Sequence, residues 1–567
     1  MAIQITGNTV IDNDRRFFGN TTNRTFFAGG AGNTTTTGTD NVFIGSCAGF
    51  CNTTGSNNNF IGTCAGYYNT TGSNNNFFGQ SAGRCNTTGR DNNFIGCQAG
   101  YCNITGIDNN FIGTCAGYKN TTGSFNNFFG RQAGYCNTTG IDNNFFGRYA
   151  GYKNTAGSFN NFFGNQAGYC NTTGINNNFI GSQAGYCNTT GSNNNFFGRY
   201  AGYCNTTGRD NNFIGCLAGN ANTIGGCNNF IGPNAGRCNT TGDNNNFIGS
   251  CAGRYNTTGT NNNFIGRSAG FCNTTGFNNN FFGAKAGNYN TTGSCNNFFG
   301  ACAGNNNITG GDNNFIGAQA GYCNTIGCGN NFFGNNAGYR NTTGSNNTFI
   351  GAGAGCNNTT GSDNIFFGCL AGFSVSSGCQ NNFIGLSAGR SNTTGNFNNF
   401  IGSCAGCCNT SACNNIAIGR HAGTTGLTPS GLINFTTTGN QIVMGNFDHT
   451  VACIKIAWTT ASDIRYKCVW GNVSHGRDFL RNVNPIKYSF VDQETKEVND
   501  PNKRYGFSAQ EILALEGEDP VIVSDKNPDN LGMNYEYMIP ILVNAIKELD
   551  AENKSILARL EALENAS

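Results

Sequence analysis

The sequence predicts a mainly β fold, a parallel β-solenoid (β-roll) shaft followed by a small α+β module and a C-terminal coiled coil. Three observations carry this. One phrase, Phe-Ile-Gly-x-x-Ala-Gly-x-x-Asn-Thr-Thr-Gly-x-x-Asn-Asn, repeats every 17 residues with its first aromatic at Phe26, Phe43, Phe60 and so on to Phe383, Phe400 and Ala417, which takes the Phe slot. That span is 391 residues, 23 steps of 17 and hence 24 copies, with no insertion or deletion, as a stack of coils requires. Gly, Asn and Thr dominate each copy, and three glycines per copy would each cost about 1 kcal/mol inside a helix. At residue 462 the composition changes abruptly: Gly falls while charge, Leu and Pro rise.

Within a copy, Asn-Phe-Ile-Gly reads as a strand and Ala-Gly-x-x as a second, shorter one. Thr-Thr-Gly and the Asn pair make the corners, since Gly and Asn tolerate positive φ. Neighbours on a strand point to opposite faces, so one of Phe and Ile fills the coil and the other points out. An outward column two dozen residues long is an apolar stripe that needs a partner. Two further copies of the chain around a threefold axis are the simplest one. The alternative is a wider monomeric roll that seals both faces inside. With coils about 4.8 Å apart, the stack would be a rod of roughly 110 Å.

Residues 1–25 form a leader, expected to act as a cap or as a segment joining a virion attachment protein. Phe17-Phe18-Gly19 echoes the repeat there, out of register. The leader has no basic segment followed by an apolar core, so no secretory signal is expected. No run reaches the length of a membrane span. From Ser462 onward there are 12 Lys and Arg against 18 Asp and Glu, a net −6, which leaves 19 against 11, or +8, for the rest. Charge so diluted along a rod does not make a nucleic-acid footprint.

The repeat, residues 26–425, carries 27 of the 29 cysteines; Cys453 and Cys468 lie beyond it. They occupy variable slots, as at Cys47 and Cys51 or the column Cys170, Cys187, Cys204. Small filler is the expected role, with coil-to-coil or chain-to-chain disulfides as the alternative; column neighbours are near enough by Cα distance, but in-register side chains run parallel. No pair of Cys-x-x-Cys motifs marks a zinc module, and no metal or cofactor is expected. Tyr101, Tyr118, Tyr135, Tyr152, Tyr169, Tyr186 and Tyr203 share one column, a candidate receptor surface that could stack on sugar rings or else stiffen the rod. Asn-Thr-Thr is formally a glycosylation sequon, as at Asn52-Thr53-Thr54, but turn chemistry explains it without one. Repeated Thr is also a feature of ice-binding solenoids; here adjacent Thr side chains diverge, where a flat array wants Thr-x-Thr.

The wording of the repeat, most clearly Ile416-Ala417-Ile418-Gly419, resembles the heads of trimeric autotransporter adhesins. That resemblance implies stacked rolls packed as trimers. After Gly423 the rhythm breaks. Gln441-Ile442-Val443-Met444-Gly445 echoes it once more, and Val451 to Trp458 alternates as a strand; residues 426–461 read as a neck.

The module opens with Ser462-Asp463-Ile464-Arg465-Tyr466-Lys467. Asn484-Pro485-Ile486-Lys487-Tyr488-Ser489-Phe490 follows, then Tyr505-Gly506-Phe507-Ser508-Ala509-Gln510-Glu511, where Ser508 and Glu511 form a capping box for a helix ending before Gly517. Tyr535 to Leu549 closes the set. In this order the motifs resemble the C-terminal intramolecular chaperone of phage tail spikes, fibres and endosialidases, over 462 to about 563. Tyr466 stands where that family usually has Leu, and 468–475 departs from its acidic-apolar run. The resemblance implies a domain, 462–538, that trimerises, guides folding of the fibre before it and then cuts itself off. It implies cleavage at Ala461–Ser462, with Ser462 and Lys467 as the dyad of an intramolecular serine endopeptidase acting only on itself. A Ser hydroxyl needs a base, and Lys serves only where burial or a nearby cation favours its neutral form. His475 is expected to be structural.

In the tail, 539–567, the residues Ile539, Leu542, Ile546, Leu549, Asn553, Ile556, Leu560 and Leu563 alternate three and four apart. That is an a/d seam with polar Asn553 at an a position fixing trimer register. The whole reads as a homotrimeric fibre at a virion surface, meeting a host-surface glycan or protein receptor. The rival is a cellular surface adhesin or ice-binding solenoid using the same folding device. A polysaccharide-degrading spike is disfavoured because the repeat offers no paired carboxylates.

Overall fold

The computed structural model describes residues 17–20, 24–27, 30–32, 37–424, 436–446, 462, 464–489, 491, 497–498, 503–518, 520–524 and 531–566. It divides into two units, Met1–Asn347 and Thr348–Ser567.

The first unit opens with a hairpin. Strand β1 (Phe17–Asn20) runs antiparallel to β2 (Arg24–Phe27), setting Phe18 opposite Phe26. β2 then pairs in parallel with β3 (Val42–Ile44), Phe26 beside Phe43. The echo at Phe17-Phe18-Gly19 is out of register because its strand is reversed. Laid on the first parallel strand, it covers an edge that would otherwise template association. From β3 to β20 (Asn331–Phe333) the chain is a parallel β-solenoid, each three-residue strand beside the same residues one repeat later, as Phe128 is beside Phe145.

The coil from Asn127 to Asn143 shows how the repeat works. Phe128 is fully buried and its ring stacks 4.7 Å from Phe145, the spacing of hydrogen-bonded strands. Phe129 points out and is half-buried. One aromatic in and its neighbour out is what strand alternation requires. Ala133, Asn137 and Asn143 complete the interior.

The second strand expected at Ala-Gly-x-x is absent; residues 131–136 form a turn. Gln132 (φ +58°) and Gly134 (φ +56°) are both left-handed, which an extended strand does not permit. The turn still bonds from coil to coil, Gly134 N–H to the Ala150 carbonyl at 2.9 Å and Cys136 N–H to the Tyr152 carbonyl at 2.9 Å. Gly134 also leaves room for the core, since a Cβ there would lie 2.3 Å from the Phe128 ring. Gly140, at the Thr-Thr-Gly corner, is set by crowding rather than by φ. Its Cβ would meet the Gly157 carbonyl oxygen at 2.4 Å and Asn137 Oδ1 at 2.5 Å.

In the second unit the same coil recurs from β21 (Thr348–Ile350) to β25 (Ile416–Ile418). The ladder extends past the expected boundary at 425. β26 (Ile442–Met444) pairs in parallel with β25, Ile416 opposite Ile442, and buries Val443. Its spacing of 26 from the coil before it takes the echo at 441–445 out of the 17-residue register. The expected strand at 451–458 lies outside the described residues, as do Ala461, Cys453 and residues 1–16.

The C-terminal module comprises a 3-10 turn (Ile464–Tyr466), α1 (Arg477–Arg481), the antiparallel pair β27 (Ile486–Tyr488) and β28 (Arg504–Gly506), α2 (Ala509–Glu516), the antiparallel pair β29 (Val523–Ser524) and β30 (Gly532–Met533), and α3 (Met538–Glu564). Phe479, Ile512, Ile522, Val523, Met538 and Ile541 form its core. The capping box holds in part: Ser508 Oγ accepts from Glu511 N–H at 3.4 Å, and the helix ends at Gly517 (φ +76°).

Candidate functional site

Ser462 and Lys467 meet. In an extended chain, residues five apart lie about 16 Å from one another. The 3-10 turn at Ile464–Tyr466, closed by Lys467 N–H to the Ile464 carbonyl at 3.1 Å, folds the segment back. Lys467 Nζ then donates to Ser462 Oγ at 2.6 Å. Both side chains are exposed in the single chain. The contact sets an amine against a hydroxyl at the first residue of the module, a distance over which a neutral amine can take a hydroxyl proton.

The module that carries the pair is tied together by polar contacts, buried at Glu516 and more exposed between α1 and α3. Glu516, buried at the end of α2, accepts from the backbone N–H groups of Val521 (2.8 Å), Ile522 (2.5 Å) and Val523 (2.9 Å). Asn544 on α3 donates to the His475 carbonyl at 3.0 Å, and Glu548 accepts from Arg477 N–H at 2.7 Å. Arg477 also pairs with Glu552. These hold the start of α1 against α3, and the His475 ring stacks on Phe479 at 4.3 Å. Nothing in the sequence pattern singled out Glu516 or Glu548.

Residues 462–519 match the family model described as the chaperone of endosialidase. Over that stretch the chain is similar to the endosialidase chaperone. Neither a curated protein nor a solved structure matches the chain. A parallel β-solenoid shaft followed by a segment similar to that chaperone fits a tail-fibre-like protein. The motifs from Tyr535 onward lie beyond the matched residues.

Beyond the chaperone-like stretch, α3 turns Met538, Ile541 and Ala545 into the core and leaves the other seam bare. Ile539 is 59% exposed, Ile546 65% and Leu563 68%, with Asn553 exposed in the same row. Trp470 is 95% exposed, close in sequence to Lys467.

On the shaft, the seven tyrosines stack face to face at 5.0–5.1 Å from Tyr101 to Tyr203. The guanidinium of Arg84 covers the Tyr101 end. Ring faces inside the ladder are therefore occupied by each other, and the ladder offers edges and hydroxyls. Burial raises the phenol pKa of Tyr118, Tyr152, Tyr186 and Tyr203.

In the described coils from Asn52 to Asn409 the asparagines of the Asn-Thr-Thr motif are fully buried. Asn52 Oδ1 accepts from Asn69 Nδ2 at 2.7 Å, and its own amide reaches the Gly55 carbonyl at 2.9 Å, so a glycan has no route to it. Of the paired threonines, Thr138 turns its hydroxyl to the Thr155 carbonyl at 2.9 Å and Thr139 is exposed, giving a single outward row.

Among the described residues no cysteine is in a disulfide. Burial raises the pKa of those in the column of Cys85, Cys102, Cys170, Cys187 and Cys204. Cys404 and Cys407 do stand at Cys-x-x-Cys spacing, and Cys407, against Cys408 at 3.9 Å, is pushed up to about 12 mainly by burial. Among the described residues no group of His, Cys, Asp and Glu is arranged to hold a metal, and no helix is long and apolar enough to cross a membrane.

Proposed function

We propose that the chain is a homotrimeric fibre of a virus or phage whose C-terminal module drives trimeric folding of the shaft and then cuts itself off at Ala461–Ser462. The observation that carries this is the contact of Lys467 Nζ with Ser462 Oγ at 2.6 Å, at the start of the stretch similar to the endosialidase chaperone. Ser462 Oγ attacks the Ala461 carbonyl carbon while Lys467 takes the hydroxyl proton. The Ala461–Ser462 C–N bond breaks, that proton passes to the departing amine, and an ester joins Ala461 to Ser462 Oγ. Water then hydrolyses the ester, freeing the Ala461 carboxylate and restoring the hydroxyl.

A lysine acts as a base only where its neutral form is favoured, and burial between subunits supplies that condition. Cleavage would then follow assembly. The bare seam of α3, with Asn553 at its a position, is the trimer contact that makes assembly possible. The family likeness implies such trimers. Residues 1–25 attach the fibre to the virion. The ladder from Tyr101 to Tyr203 is the receptor surface, meeting a host glycan or protein through its hydroxyl row.

The test is a denaturing gel of the full chain. Wild type is expected as two pieces split at Ala461–Ser462. Ser462→Ala and Lys467→Ala are each expected to leave one full-length band. Unchanged processing in Ser462→Ala would refute the assignment.

A further inference from the structure

Each coil of Met1–Asn347 presents three outward stretches, separated by inward-turned Gly and Asn. In the coil from Asn127 they are the strand (Asn127, Phe129), the turn Arg131–Cys136, and the corner Thr138–Asp142. Charge is partitioned among them. Residues 37–347 hold 13 Lys and Arg and 7 Asp. Eleven of the cations occupy the turn, in the four slots either side of Ala-Gly, with no carboxylate among them. All 7 Asp occupy the last two slots of the corner, with only Arg90 and Arg209 for company. The strand therefore has an acidic flank before it and a cationic flank after it.

The acidic flank also carries exposed phenyl rings, while the exposed rings of the cationic turn, as at Tyr255 and Tyr289, are tyrosines. Phe125, Phe159 and Phe277 are 48%, 50% and 47% exposed. Phe125 and Phe159 sit there at φ +59° and +60°, a conformation suited to Gly, Asn or Asp. An exposed ring on strained backbone gains nothing inside its own coil. It gains a contact if a cation from another chain covers it.

We propose that sister shafts pack side by side, parallel and at equal coil height, the cationic turn of one chain against the acidic and aromatic corner of the next. This rests on the trimeric reading above. When copies are related by rotation about an axis that their strands face, the flank after one strand meets the flank before the neighbour's. At equal height this sets Arg131 against Phe125, Arg148 against Asp142, and Lys285 against Phe277, each with its partner on the next chain. Arg148 already lies over Tyr149 at 4.7 Å, which holds it outward. An antiparallel neighbour would instead bring cation to cation and acid to acid, so the partition selects polarity as well as partner.

The test places the photo-cross-linker p-benzoylphenylalanine at Phe125, and separately at Phe277, in the full chain. A control carries it at Thr122, near the middle of the corner. Before irradiation, light scattering gives the oligomeric mass. The expected product is a covalent dimer on a denaturing gel, with adducts mapping to residues 131–136 of a second chain from Phe125 and to 284–289 from Phe277. Isotope-mixed samples separate inter-chain from intra-chain adducts, and Thr122 is expected to give no dimer. Trimeric mass with adducts only within one chain, or onto the same corner of the neighbour, would overturn the packing and leave the trimer standing. A single-chain mass would overturn the trimeric reading itself.

Discussion

Asn137 donates its side-chain amide to Asn120 Oδ1 at 2.7 Å, and both residues are fully buried. The same amide reaches the Gly140 carbonyl at 3.0 Å, and Asn137 Oδ1 accepts from Asn154 at 2.8 Å. A second inward row runs through Asn126 and Asn143, whose amide bonds Asn126 Oδ1 at 3.0 Å and the Gly157 carbonyl at 2.8 Å. With Phe and Ala, these amide rows fill the coil and fix its register. A slip of one coil would restore every bond but leave an unpaired end, which the β1–β2 hairpin covers at the start.

Asn137→Ala is expected to cost about 1–3 kcal/mol, because it strands Asn120 Oδ1 and one N–H of the Asn154 amide in a dry interior, while the Gly140 carbonyl keeps the Asn126 amide. Coils contact only their neighbours, so the loss should be local. Hydrogen exchange should quicken in residues 120–157 and stay unchanged in distant coils.

Glu516→Gln should unfold the C-terminal module more readily, by about 2–3 kcal/mol. A carboxylate accepts the three N–H groups of Val521, Ile522 and Val523 through both oxygens, whereas an amide keeps one oxygen and sets its NH2 donor against the remaining N–H. Urea denaturation followed by near-ultraviolet dichroism of the module's aromatics checks this. If folding of the shaft depends on the module, the soluble yield of full chain should fall with it.

The thiols give a pH signature. Burial raises Cys407 and the Cys170–Cys187–Cys204 column above the ordinary 9.0. Below that value folded and unfolded thiols are both protonated and stability is indifferent to them. Above it the unfolded state releases protons first, so stability falls as pH rises from about 9 toward 12. Thermal melts should therefore hold steady from pH 7 to 8.5 and drop beyond 9. At pH 8, iodoacetamide should label exposed Cys97 and Cys216 well before Cys187, as read by mass spectrometry.

Much of the shaft was legible because the repeat states its own geometry. The unbroken 17-residue spacing fixed the coil, and the Phe-Ile pair announced one face in and one out. The Ala-Gly turn was not legible. Its left-handed residue before Ala is Gln132 in one coil, Tyr149 in the next and Leu217 further on, so side-chain identity gives no hint of φ. The closing coil at Ile442–Met444 was legible as an echo of the repeat, but the insertion before it breaks the period and placed it in the neck rather than in the ladder. Ser462 and Lys467 were found by likeness of motif; their contact depends on the Ile464–Tyr466 turn, which no periodic pattern marks. The charge partition was present in the slots all along, but it becomes a surface only once each slot is known to face outward.

The central claim is that this chain completes its fold only as three copies. The most direct measurement is the mass of purified full-length Ser462→Ala by light scattering with size separation, the substitution keeping every chain whole. The account predicts three times the 59.8 kDa of one chain. A stable particle of 59.8 kDa, with a β spectrum and the Ile546 seam of α3 still bare to solvent, would contradict it.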